Sequence, residues 1–329
     1  MEQDRRLCYF DNVKAVLIIS VLIGHFIDIS TNTSHMYRCI FGFIYTFHMP
    51  LFIFISGLFH KDDRIFQKAL TDIIIGFMLK IGIFALTFGP IRGTSFHLFS
   101  DSEVPWFMFA LAAFEVLAFS LRNIDKKFLL IVFCVIGCFA GYDSSIGDFL
   151  YLSRIFVFFP FYILGLMVDK DALMHLCARK KLKILSLAIL IAWFACFFFF
   201  EHTYELRGLF TGRNPFDSFS NEMIRVYGGF FRLLCYTISV VVGFSVLCII
   251  PQNNLGFFSA YGKKTIQVYF WHLIFLFYLK KLFGFTLVTT PFGKIIWILC
   301  AIVVSFLLGL RVFSFPVKQI REYCRKTLS

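Results

Sequence analysis

The chain has 329 residues, of which 59% are apolar, 20% aromatic and only 16% charged, and its mean hydropathy is +0.79. A soluble domain carries about a quarter charged residues and just under half apolar ones, so this composition excludes a soluble globular enzyme, a disordered chain and a disulfide scaffold. The net charge of +12 reads as cytoplasmic anchoring of a membrane protein and not as nucleic-acid binding.

A transmembrane helix needs ~20 mostly apolar residues, and the apolar fraction supplies about ten. Long runs such as 184–200 and 297–310 do not alternate in polarity, which sets aside a β-barrel. In chain order the predicted spans are 13–30, 38–58, 69–90, 104–121, 127–142, 149–168, 184–200, 230–250, 265–283 and 293–313. Arg5, Arg6 and Lys14 precede the first span and no small-residue cleavage site follows it, so it reads as an uncleaved helix. With the N-terminus inside, 21 of the 32 Lys and Arg fall on the cytoplasmic side and 9 outside, with Lys80 and Arg154 inside spans. Dropping the short fifth span would move the basic 170–183 loop outside, against the positive-inside bias. The expectation is an all-α polytopic membrane protein of about ten helices, both termini cytoplasmic. It forms one transmembrane domain over 1–329, with 314–329 as a basic tail. The ten Cys lie mostly inside apolar runs and read as small packing residues.

Ionisable groups within spans are costly, and function is the default hypothesis for them. In the first span Lys14 and His25 are eleven residues apart. That places them on one helical face, about 20° apart and roughly 16 Å along the axis. Asp11 and Asp28 stay near the same stripe. Lys14 pairs with Asp11 or lines a path to His25. The second span carries His48 two residues before Pro50, where the ring can kink the helix. The ninth span carries Tyr269-Phe270-Trp271-His272. A neutral imidazole can take and return a proton near pH 7; the competing reading of each His is a satisfied core residue. Asp28, one turn from His25, is a candidate orienter. Arg154, near the outer end of the sixth span, either pairs with Asp148 or holds an anionic or hydroxyl-rich ligand. Trp106 is either a packing aromatic or a sugar platform. Lys61 and Arg64 are topology charges or phosphate binders at the cytoplasmic mouth. No helix shows metal-ligand spacing. The long outer connection 201–229, with Tyr204, Arg207, Arg213, Asn214, Pro215, Asp217 and Glu222, is either a functional loop or a solvated one.

At these residues the sequence resembles the acyltransferase-3 superfamily of integral membrane O-acyltransferases, and within it a fucose 4-O-acetylase-like branch. Five stretches carry the likeness. They are Tyr9 to Lys14 with His25 after ten intervening residues, Phe47-His48-Met49-Pro50-Leu51-Phe52, Pro105-Trp106-Phe107-Met108, Arg154 with Phe159-Pro160-Phe161-Tyr162, and Thr265 to His272. Lys14 stands where the family more often has Arg, and the Arg-x-Arg common near the third span is absent. The resemblance implies a ten-helix acyltransferase of the bacterial plasma (inner) membrane that moves acetyl from acetyl-CoA to a sugar hydroxyl of a surface or capsular polysaccharide or its precursor. It implies His25 as the catalytic residue with Lys14 as its partner. In a compatible mechanism Asp28 steers His25, while His48 or His272 holds the oxyanion or acceptor. Lys14, Lys61 and Arg64 are then the donor-binding candidates, and Arg154, Trp106 and His272 the acceptor-binding ones. A glycan, an acyl-CoA and the bilayer are the expected partners, with no metal. The alternative is a transporter or flippase of lipid-linked sugars, which the helix count and buried charges fit equally but the ordered motifs do not.

Overall fold

The computed structural model describes residues 2–87, 89, 96–100, 105–283 and 288–327, with the backbone alone for 2–7 and 29. The side chains of Arg5 and Arg6, residue 90 at the end of the third predicted span, Arg92, residue 104 and tail residues 328–329 lie outside what is described. The helices are α1 (Glu2–Ile27), α2 (His35–Leu58), α3 (Ile65–Leu86), α4 (Trp106–Ser120), α5 (Lys126–Phe139), α6 (Leu152–Met167), α7 (Lys170–Ala178), α8 (Lys180–Phe199), α9 (Arg207–Phe210), α10 (Glu222–Ile249), α11 (Phe257–Gly262), α12 (Thr265–Phe283), α13 (Pro291–Leu308) and α14 (Val317–Thr327). Each predicted span has a helical counterpart. Seven helices, α1, α2, α3, α8, α10, α12 and α13, are long and apolar enough to cross a membrane, and α6 with α7, bent by 90°, makes an eighth as a pair. The other two counterparts, α4 and α5, have 15 and 14 residues, which gives about 21–23 Å against a hydrocarbon core of about 30 Å.

Local chemistry sets the helix ends. Ser34, Asp125, Asp169, Asn221 and Thr290 each cap a helix start by accepting a backbone N–H. Asp169 does this directly after extended Val168, so the chain stops α6, turns and restarts as α7. Pro50 sits inside α2, which continues through it as one helix over His35–Leu58.

Lipid tails are as apolar as Leu, so packing and small residues drive helix association. Helix α2 sits at the centre, against α1, α6, α8 and α10. Gly57 of α2 and Gly165 of α6 let these two backbones meet. A Cβ on Gly57 would overlap the Tyr162 carbonyl, and one on Gly165 would overlap the Phe54 carbonyl. The main core gathers Phe26, Phe41, Phe114, Phe159 and Trp297, each at most 1% exposed. Buried polar bonds then fix the register of α1. Asn12, fully buried, donates to the Pro251 and Asn253 carbonyls at 3.0 and 2.9 Å and accepts from Ser259 Oγ at 2.6 Å. Tyr9 donates to the Leu247 carbonyl at 2.8 Å. At the other end of α1, Trp297 Nε1 donates to the Phe26 carbonyl at 2.8 Å. Outward faces carry Phe128, Ile131 and Val135 on α5 and Ile184, Leu187 and Ile191 on α8, as lipid contact requires.

Candidate active site

Several buried and half-buried polar groups collect around one cavity of about 370 Å³. It lies toward the end of the bundle that holds the C-terminus of α1 and the N-terminus of α6. Helix α1 supplies His25, with Asp28 just beyond it. Helix α2 supplies Tyr45 and His48, α4 Trp106, α6 Arg154, α12 Tyr269, and the 207–214 segment Arg207, Thr211, Arg213 and Asn214. These elements are brought together by the α1–α2 and α2–α6 packing just described.

The histidines have assignable tautomers. His48 is 4% exposed, and its Nδ1 lies 2.8 Å from the Ile44 carbonyl. A carbonyl only accepts, so Nδ1 carries the proton, and in the neutral ring Nε2 is left as the acceptor. Tyr45 packs edge-on to this ring at 4.8 Å. His272 is fully buried and repeats the pattern, with Nδ1 donating to the Tyr269 carbonyl at 2.6 Å. Its Nε2 has no hydrogen-bond partner among the described residues. The His272 ring lies behind the cavity wall, 5.1 Å from the ring of His25. Two proton-accepting ring nitrogens thus stand close to the half-buried His25.

Three guanidinium groups line the same space. Arg213 is committed to Asp148, its Nε donating to the two carboxylate oxygens at 3.0 and 2.8 Å. Arg207 donates to Asp28 at 3.3 Å and lies over Phe41. Arg154 is 7% exposed and sits 4.7 Å over the Trp106 ring, with no hydrogen-bond partner on Nε or Nη1 among the described residues. Trp106 itself stacks on Phe158 at 5.4 Å. A guanidinium keeps its charge in any protein environment, so Arg154 is a fixed buried cation offering donors to whatever enters.

The structure therefore brings His25, Asp28, His48, Arg154 and Trp106 to one cavity and places His272 against His25. Two candidate pairings are not made, which leaves Arg154 with the ligand-holding side of its two readings. Asp28 turns to Arg207 and makes no hydrogen bond to His25, because a cation from the 207–214 segment reaches the carboxylate from outside. Asp148 is taken by Arg213 and not by Arg154, since the bidentate fork satisfies both its oxygens. Lys14 takes the Asp11 side of its two readings, at 2.7 Å. It stands at the far end of α1 from His25, while Lys61 and Arg64 are exposed on the α2–α3 connection at that same far end. Tyr45 escapes the sequence reading and Tyr269 enters it only within the ninth-span stretch, yet each precedes a singled-out His by three residues, the spacing of neighbours on a helix face. Among the described residues no cluster of three or more His, Cys, Asp or Glu is arranged to hold a metal ion.

A bundle of membrane-length helices around a buried His and Arg cluster defines a membrane protein with a reaction or binding centre inside it. Residues 8–311 match the acyltransferase-3 family, an acyltransferase domain. The chain belongs to that family, and its fold is that of a polytopic all-α membrane protein. The nodulation protein NolL of Sinorhizobium fredii (strain NBRC 101917 / NGR234) is 26% identical over an alignment covering 58% of this chain and 56% of that protein. The chain thus spans little more than half the length of this curated relative. No solved structure matches.

Proposed function

We propose that this chain transfers an acetyl group from acetyl-CoA to a sugar hydroxyl on a surface or capsular polysaccharide or its precursor, as a fucose 4-O-acetylase-like enzyme of a bacterial plasma membrane, with ten crossings and both termini cytoplasmic. The observation that carries this reading is the convergence of His25, His48 and the unpaired Arg154 on one cavity inside the family's domain. In the proposed step the His25 imidazole takes the proton of the sugar hydroxyl. The freed oxygen attacks the thioester carbonyl, the C–S bond breaks, and the CoA sulfur leaves and is protonated. His272, held by the Tyr269 carbonyl and tilted against the His25 ring, takes the positioning role expected of Asp28. His48 and Arg154 face the same space and supply hydrogen bonds to the acceptor and the developing oxyanion. Trp106 holds Arg154 in place, and Lys14 with Lys61 and Arg64 lies at the end where the donor approaches.

Purified protein in nanodiscs, given acetyl-labelled acetyl-CoA and deacetylated envelope glycan, tests the reading. Label moving to the glycan with release of free CoA thiol supports it. Exchange of glycan across the membrane with no labelling contradicts it and favours the transporter alternative.

A further inference from the structure

A second polar cavity, of about 270 Å³, lies at the opposite end of the bundle, between the start of α12 and helix α14. Its charged lining is Lys263, Lys264, Lys318, Arg321, Arg325 and a single carboxylate, Glu322. Lys318, Arg321 and Arg325 share one face of α14 at three- and four-residue spacing. The helix is seated by buried Val317 and Cys324, and Gln67 of α3 donates to the Cys324 carbonyl at 2.9 Å. Lys264 reaches the Gly309 carbonyl at 2.8 Å, and Glu322 meets Lys318 at 3.8 Å. Like charges at this spacing destabilise a helix. Topology alone asks for cations near this surface and not for five of them in one concavity. A larger cavity at the same end, about 510 Å³, balances three Lys and Arg against three Asp, so it lacks this bias. The α14 residues also lie past residue 311, where the family match ends.

We propose that this groove is a phosphate-binding site, taking the phosphates of coenzyme A or the headgroup phosphate of an anionic lipid; the first source rests on the acyl-CoA reading above. Multiple phosphate oxygens answer several fixed cations at once. The position suits the donor. Lys263 stands 3.9 Å from Asp11, which grips Lys14. His272 lies eight residues beyond Lys264, about 12 Å along α12 by helical rise.

The test uses the full chain in nanodiscs and the exposed triple variant Lys318→Gln, Arg321→Gln, Arg325→Gln, with Lys318→Arg, Arg321→Lys, Arg325→Lys as the charge-keeping control. Coenzyme A and adenosine 3′,5′-bisphosphate are titrated in phosphatidylcholine discs, and binding to phosphatidylglycerol vesicles is measured separately. The groove predicts roughly a tenfold or greater loss of affinity in the Gln variant, for the nucleotides or for the anionic vesicles, retained by the charge-keeping control. Loss for the nucleotides identifies coenzyme A as the source, and loss for the vesicles alone identifies lipid. Affinities unchanged for both probes in the Gln variant overturn the site, even where wild-type coenzyme A binding keeps the donor reading intact. Wild-type protein that binds anionic vesicles through the groove but no coenzyme A keeps the phosphate site and counts against the donor reading.

Discussion

Replacing Arg154 by Gln separates a ligand-holding guanidinium from a structural one. The side chain is 7% exposed, lies 4.7 Å over Trp106, and has no carboxylate in contact among the described residues. In the protein without acceptor, the substitution removes a cation–π contact worth about 0.5–2 kcal/mol. It also removes the desolvation cost of a buried charge, which is several kcal/mol. The second effect is larger, so the thermal midpoint stays level or rises. With acceptor bound, Arg154 donates charged hydrogen bonds worth about 1.5–3 kcal/mol each. Gln replaces only part of this, so a net loss of about 2–3 kcal/mol follows, or roughly 30- to 150-fold in kcat/KM for the acceptor. The KM for acetyl-CoA is unchanged. The assay is steady-state thiol release with the glycan varied at saturating acetyl-CoA, alongside thermal unfolding in the same detergent. A lowered midpoint with unchanged acceptor kinetics would refute this reasoning and make Arg154 a structural residue.

Asn12→Ala leaves two part-buried carbonyls and a buried serine hydroxyl without their Asn12 partner, and a stability loss of about 1–3 kcal/mol in chemical denaturation is expected. Gly57→Val drives a side chain into the Tyr162 backbone; backbone cannot rotate away, so a loss of about 2–3 kcal/mol is expected, whereas an unchanged midpoint contradicts the close α2–α6 approach. Arg213→Gln breaks the fork to Asp148, and because both groups are partly exposed the expected cost is only about 1 kcal/mol. His60, beyond the end of α2, accepts from the Tyr162 hydroxyl at 2.8 Å and donates to Asp62 at 3.2 Å. Burial pulls its pKa below the usual 6.5, against the opposing pull of Asp62. The unfolded chain therefore takes up this proton first as pH falls. The stability that neutral His60 contributes is full above about pH 6.5 and shrinks below it. The midpoint shift between pH 7.5 and 5.5 is expected to be smaller in His60→Gln.

The helices were legible in the sequence because a bilayer demands long apolar runs, and all ten predicted spans have a helix. The lengths of α4 and α5 were harder to read, since apolar residues flank each helix and continue past its end. The cavity was half legible. His25, His48 and Arg154 stand out as ionisable residues inside apolar runs, which is a strong signal whatever surrounds them. Pair choice was not legible. Sequence proximity offered Asp28 as a candidate orienter of His25 and Asp148 as one of two readings for Arg154, while their partners Arg207 and Arg213 come from a loop far along the chain. The loop's length flagged it, but no pattern says which carboxylate each arginine meets. The N-terminal polar stripe misled in one respect. Asn12 looks like one more polar residue beside Asp11, and only its three bonds show that it anchors α1.

Acetyl transfer by His25→Ala bears most directly on the central claim. The variant should fold as the wild type does, since the half-buried ring makes no hydrogen bond on which α1 depends. The account predicts that labelled acetyl transfer to glycan falls by a factor of about 10² or more, as loss of a general base does, with coenzyme A binding retained. Wild-type transfer rates in His25→Ala would contradict it.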